Sequence, residues 1–148
     1  MKCKSHKQNT SIDIANRKFS NPGEIKIYTI LLVEDDDDLR LLYKRILTSF
    51  GFKVIATAKN GNEAVEKYKE LSDTIDLIIM DYKMPKKNGI QAGKEILDYD
   101  NKAEILIISG DSDIKKTVLS NDMEFLDKSF TIKELLKKLN EIVNSNHF

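Results

Sequence analysis

Polar side chains that could do chemistry stand at the ends of four apolar segments of the sequence. Glu34 and Asp35 follow the first of these segments, Asp81 closes another, Ser109 ends a third, and Lys128 follows the last. Moving a carboxylate toward an apolar interior is costly unless a partner offsets its charge. Carboxylates that crowd together cannot all ionise cheaply without a cation. These residues therefore predict a site that holds a divalent metal ion.

A magnesium ion would suit this group, and the lysine and the hydroxyl extend its chemistry. Mg²⁺ prefers oxygen ligands in an octahedron, takes few of them from protein and keeps water or a phosphate oxygen in the remaining places. In that setting a carboxylate can act as the nucleophile, the metal and Lys128 can offset charge, and Ser109 can donate a hydrogen bond. The residue types therefore point to phosphoryl transfer.

Simpler roles account for some of the acidic residues. The run from Asp36 to Asp38 suits a helix N-terminus, where each carboxylate contributes about 0.3–1 kcal/mol. Asp81 could cap the turn that follows it, and the hydroxyl and the lysine taken alone could be ordinary turn and surface residues. Helix capping does not explain Glu34, which closes an apolar segment. Four such residues at successive strand ends are hard to obtain from ordinary causes.

Apolar runs and helical patterns alternate along the chain from Ile25 onward. The runs, read as strands, cover residues 27–33, 52–57, 75–80, 105–108 and 123–126. A helical pattern follows each run, the fourth over 113–119 and the fifth over 132–143, behind a capping box from Thr131 to Glu134. Gly51 marks the stop of the first helix. That helix has one apolar face, formed by Leu39, Leu42, Tyr43, Ile46, Leu47 and Phe50.

Five repeats of strand then helix predict a doubly wound α/β fold, with helices on both faces of a parallel sheet. In such a sheet the carboxyl ends of the strands share one edge, and binding sites gather there. The polar residues at the ends of the apolar runs are therefore expected to lie close together.

The composition excludes several classes of function. The 148-residue chain has 24 Lys and Arg against 24 Asp and Glu, so its net charge gives no reason to expect nucleic acid or an anionic membrane as a partner. The single cysteine, Cys3, excludes an internal disulfide framework. No apolar stretch approaches the ~20 residues that span a bilayer, and the N-terminus lacks a signal core. We expect a cytoplasmic protein with a polar, flexible tail over residues 1–24 and one domain over 25–148.

Four motifs together resemble the receiver domain of two-component response regulators: "ILLVEDDDDLR", "DLIIMDYKMPKKNG", "ILIISG" and "FLDKSF". The D-x-x-M-P-x-x-x-G pattern around Asp81 is the most specific of them. The resemblance implies a (βα)5 flavodoxin-like sandwich whose five-stranded parallel sheet has the order 2-1-3-4-5. It also implies a signalling module that catalyses only its own phosphorylation and dephosphorylation.

The resemblance also implies a role for each residue of the predicted site. Asp81 matches the phospho-acceptor and Lys128 the lysine that contacts the phosphoryl group. Ser109 matches the switch hydroxyl, Phe125 the switch aromatic residue, and Gly110 the small residue that leaves the site open. The implied Mg²⁺ ligands are the carboxylates of Asp35 and Asp81, Glu34 through a water molecule, and the backbone carbonyl of Lys83.

The implied reaction transfers a phosphoryl group to Asp81 from a sensor histidine kinase or a histidine phosphotransfer protein, with Mg²⁺ as cofactor. A downstream protein target then reads the phosphorylated state. Because the sequence ends after the fifth helical pattern, the resemblance implies a stand-alone receiver of the chemotaxis-regulator type. It is expected to be a monomer or a weak homodimer.

Two departures from the family pattern leave alternatives open. The family usually has proline after this lysine, often in a cis bond, whereas Ser129 follows here. The segment from Ser109 to Lys128 is also short, so the fourth helix is expected to be truncated. Both departures favour a pseudo-receiver that phosphate does not switch. A Mg²⁺-dependent aspartyl phosphatase ranks lower, because Lys83 stands where that chemistry usually needs a second acid. A nucleotide-binding module ranks lowest, because no glycine-rich loop follows the first strand.

Overall fold

The computed structural model of the protein describes residues 26–145, in which five strands alternate with five α-helices. The strands are β1 Thr29–Val33, β2 Lys53–Ala58, β3 Leu77–Asp81, β4 Ile105–Ser109 and β5 Glu124–Asp127. The helices are α1 Asp37–Ser49, α2 Gly61–Leu71, α3 Gly89–Tyr99, α4 Lys115–Ser120 and α5 Ile132–Ser145. None of these helices is long and apolar enough to cross a membrane. The predicted tail over residues 1–24 lies outside the described residues.

The five strands form one parallel sheet in the order β2-β1-β3-β4-β5. The predicted (βα)5 flavodoxin-like fold and its strand order are therefore confirmed. Because parallel strands carry their carboxyl ends to the same edge, the residues that end or follow β1, β3, β4 and β5 lie along one rim of the sheet.

Alternate residues of β1, β3, β4 and β5 enter two apolar layers, one on each face of the sheet. Leu31 and Val33 of β1 belong to the layer covered by α2, α3 and α4, whereas Ile30 and Leu32 belong to the layer covered by α1 and α5. Every residue of β3 and β4 is buried, which explains why these segments are almost continuously apolar. Because helices cover both faces of the sheet, the strand ends that carry the polar residues are held in place.

Side-chain caps begin four of the five α-helices, including α1 and α5. Asp36 is the N-cap of α1 and accepts a hydrogen bond of 2.9 Å from a backbone N–H of the first turn, with Asp37 and Asp38 inside that turn. The capping box predicted before α5 is also present. Thr131 Oγ1 accepts from the N–H of Glu134, whose carboxylate accepts from the N–H of Thr131. Caps of this kind each contribute on the order of 1 kcal/mol.

The inner face of α1 differs from its prediction at Leu42. Tyr43 and Leu47 are buried against the sheet, but 51% of Leu42 is exposed, beside Leu41 with 48% exposed. Each residue turns an α-helix by ~100°, so the position before Tyr43 points away from the sheet. Leu42 therefore does not share the buried face of Tyr43 and Leu47, with which the apolar spacing had grouped it. Gly51, at a φ of 93°, ends the helix as predicted.

The fourth helix is short, as predicted. A single 3-10 turn over Ser112–Ile114 precedes the six residues of α4, and a turn through Asp122, at a φ of 62°, ends it. Two strands begin two residues later than predicted, at Thr29 and Leu77, and β2 and β5 each begin one residue later. Ile27 is 54% exposed. At the carboxyl ends, β2 to β5 each extend one residue further than predicted, so Asp81 and Ser109 are the last residues of their strands.

Candidate functional site

Three carboxylates meet at the rim where β1 and β3 end. Val33 and Met80 are paired across these neighbouring strands, which places Glu34 and Asp35 beside Asp81. One oxygen from each of the three carboxylates lies within 4.8 Å of the others. Within residues 26–145, this is the only group of three or more metal-ligating side chains. The sheet therefore brings together the acidic residues that the sequence singled out.

Glu34 is the most buried member of this group, with 2% of its surface exposed. Its Oε2 accepts a hydrogen bond of 3.1 Å from the backbone N–H of Asp36. Its Oε1 is buried without a hydrogen-bond partner among the described residues. Burial is the main cause that raises the pKa of Glu34 to about 7, and the negative charge of Asp81 adds to it. A buried oxygen that lacks a donor is costly, and a cation among the three carboxylates would satisfy it.

The donor set fits Mg²⁺. Asp81 is 5% exposed, and burial raises its pKa while the nearby Lys128 opposes that shift. Asp35 is exposed, so one side of the carboxylate group faces solvent, where a hard cation can keep its water ligands. Lys83 lines the same cleft. Its backbone carbonyl as a further ligand stays a prediction.

Lys128 reaches the carboxylates from the far side of β4. Its backbone N–H donates to the carbonyl of Ser109 at 2.9 Å, which holds the residue after β5 against the end of β4. Its Nζ lies 3.3 Å from Oδ1 of Asp81 and 4.0 Å from Oε1 of Glu34. One cation thus contacts two buried carboxylates and offsets part of their charge.

A cleft of about 410 Å³ opens over Asp81, and its walls are Lys83, Ser109, Gly110, Asp111 and Lys128. Ser109 Oγ accepts a hydrogen bond of 3.0 Å from the N–H of Asp111, and Ser109 is 5% exposed. A Cβ atom added to Gly110 would meet nothing closer than the Cβ of Lys128, at 4.0 Å. The cleft therefore leaves room for a small anionic group beside one carboxylate, one ammonium and one hydroxyl.

Phe125 lies below this cleft in β5, where it is paired with Ile107. Only 7% of Phe125 is exposed, and its side chain belongs to the apolar layer under α4. The residue is therefore packed inward in this structure, two residues along β5 from the end of the strand. Its role as a switch stays a prediction.

Two residues of the site were not singled out from the sequence. Arg40 donates from Nη1 to the carbonyl of Glu34 at 2.8 Å and pairs with Asp37, so it braces the loop that carries the acidic pair. Asp111 donates its N–H to Ser109 and lines the cleft. The spacing of Asp37 and Arg40, three residues apart on a helix, is the signal that could have revealed the first. For Asp111, the only signal in the sequence is its position two residues after the end of β4.

Comparisons with known proteins indicate one family for the chain. Residues 30–140 match the family model of the response regulator receiver domain. The chemotaxis protein CheY of Bacillus subtilis is 38% identical over 120 residues, which cover 79% of this chain and 98% of that protein.

Solved structures give the same result. The CheX-CheY-BeF3-Mg+2 complex from Borrelia burgdorferi aligns with a TM-score of 0.78 and 30% identity, over 87% of this chain and 98% of the matched chain. A receiver domain of Ssk1 from Saccharomyces cerevisiae, in complex with the histidine phosphotransfer protein Ypd1, aligns with a TM-score of 0.72 and 26% identity, over 82% and 92%. The chain belongs to the response regulator receiver domain family.

Proposed function

We propose that this chain accepts a phosphoryl group on Asp81 from a phosphohistidine of a sensor kinase or a phosphotransfer protein. The reaction depends on Mg²⁺, and the phosphorylated chain passes the signal on by contact with another protein in the cytoplasm. The observation that carries the proposal is the pairing of buried Asp81 with Lys128 at 3.3 Å, beside an acidic pair that includes an unsatisfied oxygen of Glu34. We assign the receiver domain to residues 25–148.

The chain's own residues supply a nucleophile and charge compensation. An oxygen of Asp81 attacks phosphorus and forms the new P–O bond while the P–N bond of the donor breaks. The electron pair of that bond stays on the imidazole nitrogen, which takes a proton. Lys128 and Ser109 line the cleft from which the phosphoryl oxygens approach, so the ammonium and the hydroxyl can each donate a hydrogen bond to them.

A bound Mg²⁺ would offset the charge of the phosphoryl oxygens, held by Asp35, Asp81, water-linked Glu34 and the carbonyl of Lys83. The acyl phosphate later reacts with water, which forms inorganic phosphate and returns the carboxylate of Asp81. The chain is therefore a signalling module and turns over no external substrate other than its phosphodonor.

Phosphorylation also offers a route to a conformational response. The new group brings about −1.5 to −2 charges by analogy with other phosphorylated residues. Ser109 then gives up the hydrogen bond that it accepts from the N–H of Asp111 and donates its hydroxyl to a phosphoryl oxygen. The side chain of Phe125 can rotate into the space that Ser109 leaves. A partner that prefers one of the two states would bias the change. The complexes of Ssk1 with Ypd1 and of CheY with CheX support a protein as that partner.

Acetyl phosphate with Mg²⁺ tests the proposal on the intact chain. We expect the mass of one phosphoryl group to be added, to be removed by hydroxylamine and to be missing when Mg²⁺ is chelated. Asp81→Asn should abolish the addition, whereas Asp98→Asn, on the exposed side of α3, should not change it.

Other results would assign the chain to a different class. A chain that stays unmodified under these conditions would be a pseudo-receiver. Steady release of phosphate from small esters over many turnovers would instead indicate a phosphatase.

A further inference from the structure

The loop after β5 holds Lys128 without the proline that usually follows this lysine in the family. Proline would fix φ at the next position and restrict the lysine before it, so the loop would be rigid by covalent structure. Ser129 has neither property, and its backbone can adopt many more conformations. Something else in this chain must therefore restrict the loop that presents the ammonium to Asp81.

Hydrogen bonds from Asp127 to Ser129 supply a restraint of another kind. Oδ1 of Asp127 accepts from the backbone N–H of Ser129 at 2.9 Å and from its hydroxyl at 2.7 Å. The carbonyl of Asp127 accepts from the N–H of Phe130 at 3.0 Å. Two side-chain hydrogen bonds thereby join Asp127 and Ser129, the residues on either side of Lys128. They close a small hydrogen-bonded ring that includes the backbone of Lys128. A side chain that bonds the backbone two residues later is a recognised way to fix a turn.

The end of the loop is held in place by a packing contact of Phe130. The ring of Phe130 packs on the ring of Tyr43 with centroids 5.9 Å apart, at the edge of the apolar layer under α1 and α5. The start of the loop is held by the bond from the N–H of Lys128 to the carbonyl of Ser109. The hydrogen bonds between Asp127 and Ser129 restrain the part of the loop that lies between these two contacts. The charge on Asp127 is favoured, because the N–H of Ser129 and then its hydroxyl lower the pKa of that carboxyl.

We propose that Asp127 and Ser129 are positioning residues that hold Lys128 in reach of the phosphoryl group, in place of the proline. Neither residue touches the reacting atoms, and both act through the loop. The inference rests on the proposed function, since it concerns the same phosphoryl site. It goes beyond that function by assigning the geometry of Lys128 to the side-chain hydrogen bonds between Asp127 and Ser129.

The experiment separates positioning from general stability with two ligands. Beryllofluoride, a phosphoryl analogue, should occupy the cleft beside Lys128, whereas Mg²⁺ should bind to the carboxylates. We expect Asp127→Ala to lower beryllofluoride affinity at saturating Mg²⁺, and the rate of phosphorylation by acetyl phosphate, by about tenfold. Mg²⁺ affinity should stay within about twofold of the wild-type value. Ser129→Ala, which keeps the N–H bond, should lose about threefold, and Ser129→Thr should behave like the wild type.

Two further variants make the test decisive. Asp127→Asn keeps a side-chain oxygen that can accept from the N–H and the hydroxyl of Ser129, so it should retain most of the beryllofluoride affinity that Asp127→Ala loses. Asp100→Ala removes a matched pair of bonds at the opposite edge of the sheet, to the N–H of Lys102 and the hydroxyl of Tyr68. It should lower stability and leave both affinities unchanged.

The possible failures are distinguishable. Asp127→Ala with wild-type beryllofluoride affinity and phosphorylation rate would overturn this inference and leave the proposed function in place. Equal losses of beryllofluoride and Mg²⁺ affinity would also overturn it, since they would indicate a general disturbance of the site. A wild-type chain that neither binds beryllofluoride nor takes a phosphoryl group would overturn the proposed function and this inference with it.

Discussion

Gly89 packs against the backbone of Asp81 so closely that a Cβ atom added to it would lie 2.6 Å from the carbonyl oxygen of Asp81. The N–H of Gly89 also donates to the carbonyl of Tyr82 at 2.8 Å. The first residue of α3 is therefore in direct contact with the strand end that carries Asp81, the proposed phospho-acceptor. The loop between them is held against the sheet by this contact.

Replacing Gly89 with alanine should destabilise the protein. The new methyl group would meet backbone atoms that cannot rotate aside, so we expect a loss of about 1–3 kcal/mol in the free energy of unfolding, measured with urea. Gly110→Ala is the matched control, because its added Cβ would have 4.0 Å to the nearest atom. That variant should stay within about 0.5 kcal/mol of the wild type. Equal stability of the two variants would contradict the contact described here.

The comparison of Gly89 with Glu34 and Asp81 shows what the sequence could predict. Both acids close apolar runs, and the rule that parallel strands share one rim was enough to bring them together. Gly89 is the last residue of the D-x-x-M-P-x-x-x-G motif, but nothing in its neighbours along the chain shows that its backbone touches Asp81. A close approach of this kind depends on how a helix is placed on a strand end.

Arg40 and Leu42 illustrate the same limit on α1. The helix itself follows from the apolar spacing, and the acids before it follow from capping. Whether Leu42 or its neighbour faces the sheet depends on the rotation of the helix, which residue spacing fixes only to within one position. Arg40 reaches the carbonyl of Glu34 only because of that rotation.

Asp35→Asn should change stability in opposite directions without and with Mg²⁺. Without the metal, removal of one charge from three crowded carboxylates relieves repulsion, so we expect the free energy of unfolding to rise by up to about 1 kcal/mol. With millimolar Mg²⁺ the wild type gains binding free energy that the variant lacks, so the order should reverse. The measurements are thermal unfolding in both conditions and calorimetric titration, with a loss in Mg²⁺ affinity of at least about tenfold.

Asp38→Asn is the control for charge alone. Asp38 is exposed in the first turn of α1 and lies outside the group of three carboxylates. The Asp38→Asn variant should bind Mg²⁺ with the same affinity as the wild type. If both variants lose affinity equally, the metal responds to overall acidity and the ligand set proposed here is wrong.

Lys86 has a left-handed backbone, and its replacement by glycine should stabilise the protein. Its φ is 73°, and the N–H of Lys87 donates to the carbonyl of Pro85 at 2.8 Å across it, which makes a three-residue γ-turn. Side chains with a Cβ are strained in this region and glycine is not. We expect Lys86→Gly to raise the free energy of unfolding by about 0.5–1 kcal/mol in urea. Lys83→Gly, in the same loop with an ordinary φ, should lower it, and a gain there would show that the effect is not conformational.

The hydroxyl of Tyr68 donates to Oδ2 of Asp100 at 2.7 Å, and this bond predicts a pH dependence at the edge of the sheet opposite the carboxylates. It is the main cause that lowers the pKa of Asp100. A carboxyl whose pKa is lower in the folded state stabilises the fold above its unfolded pKa, about 3.9, and loses that contribution as the pH falls through the folded value. Tyr68→Phe should therefore cost about 1 kcal/mol at pH 7, less with solvent screening, and the two chains should converge in acid.

Tyr28→Phe makes the same chemical change at a buried tyrosine whose hydroxyl has no partner among the described residues. Removal of that hydroxyl should cost nothing or add slightly to stability, since an unsatisfied buried group is lost. Urea unfolding of both variants from pH 7 down to acid checks the pair. A cost for Tyr68→Phe that stays constant down to acid pH would indicate lost packing, because a bond to an ionised carboxylate must weaken when the carboxylate is protonated.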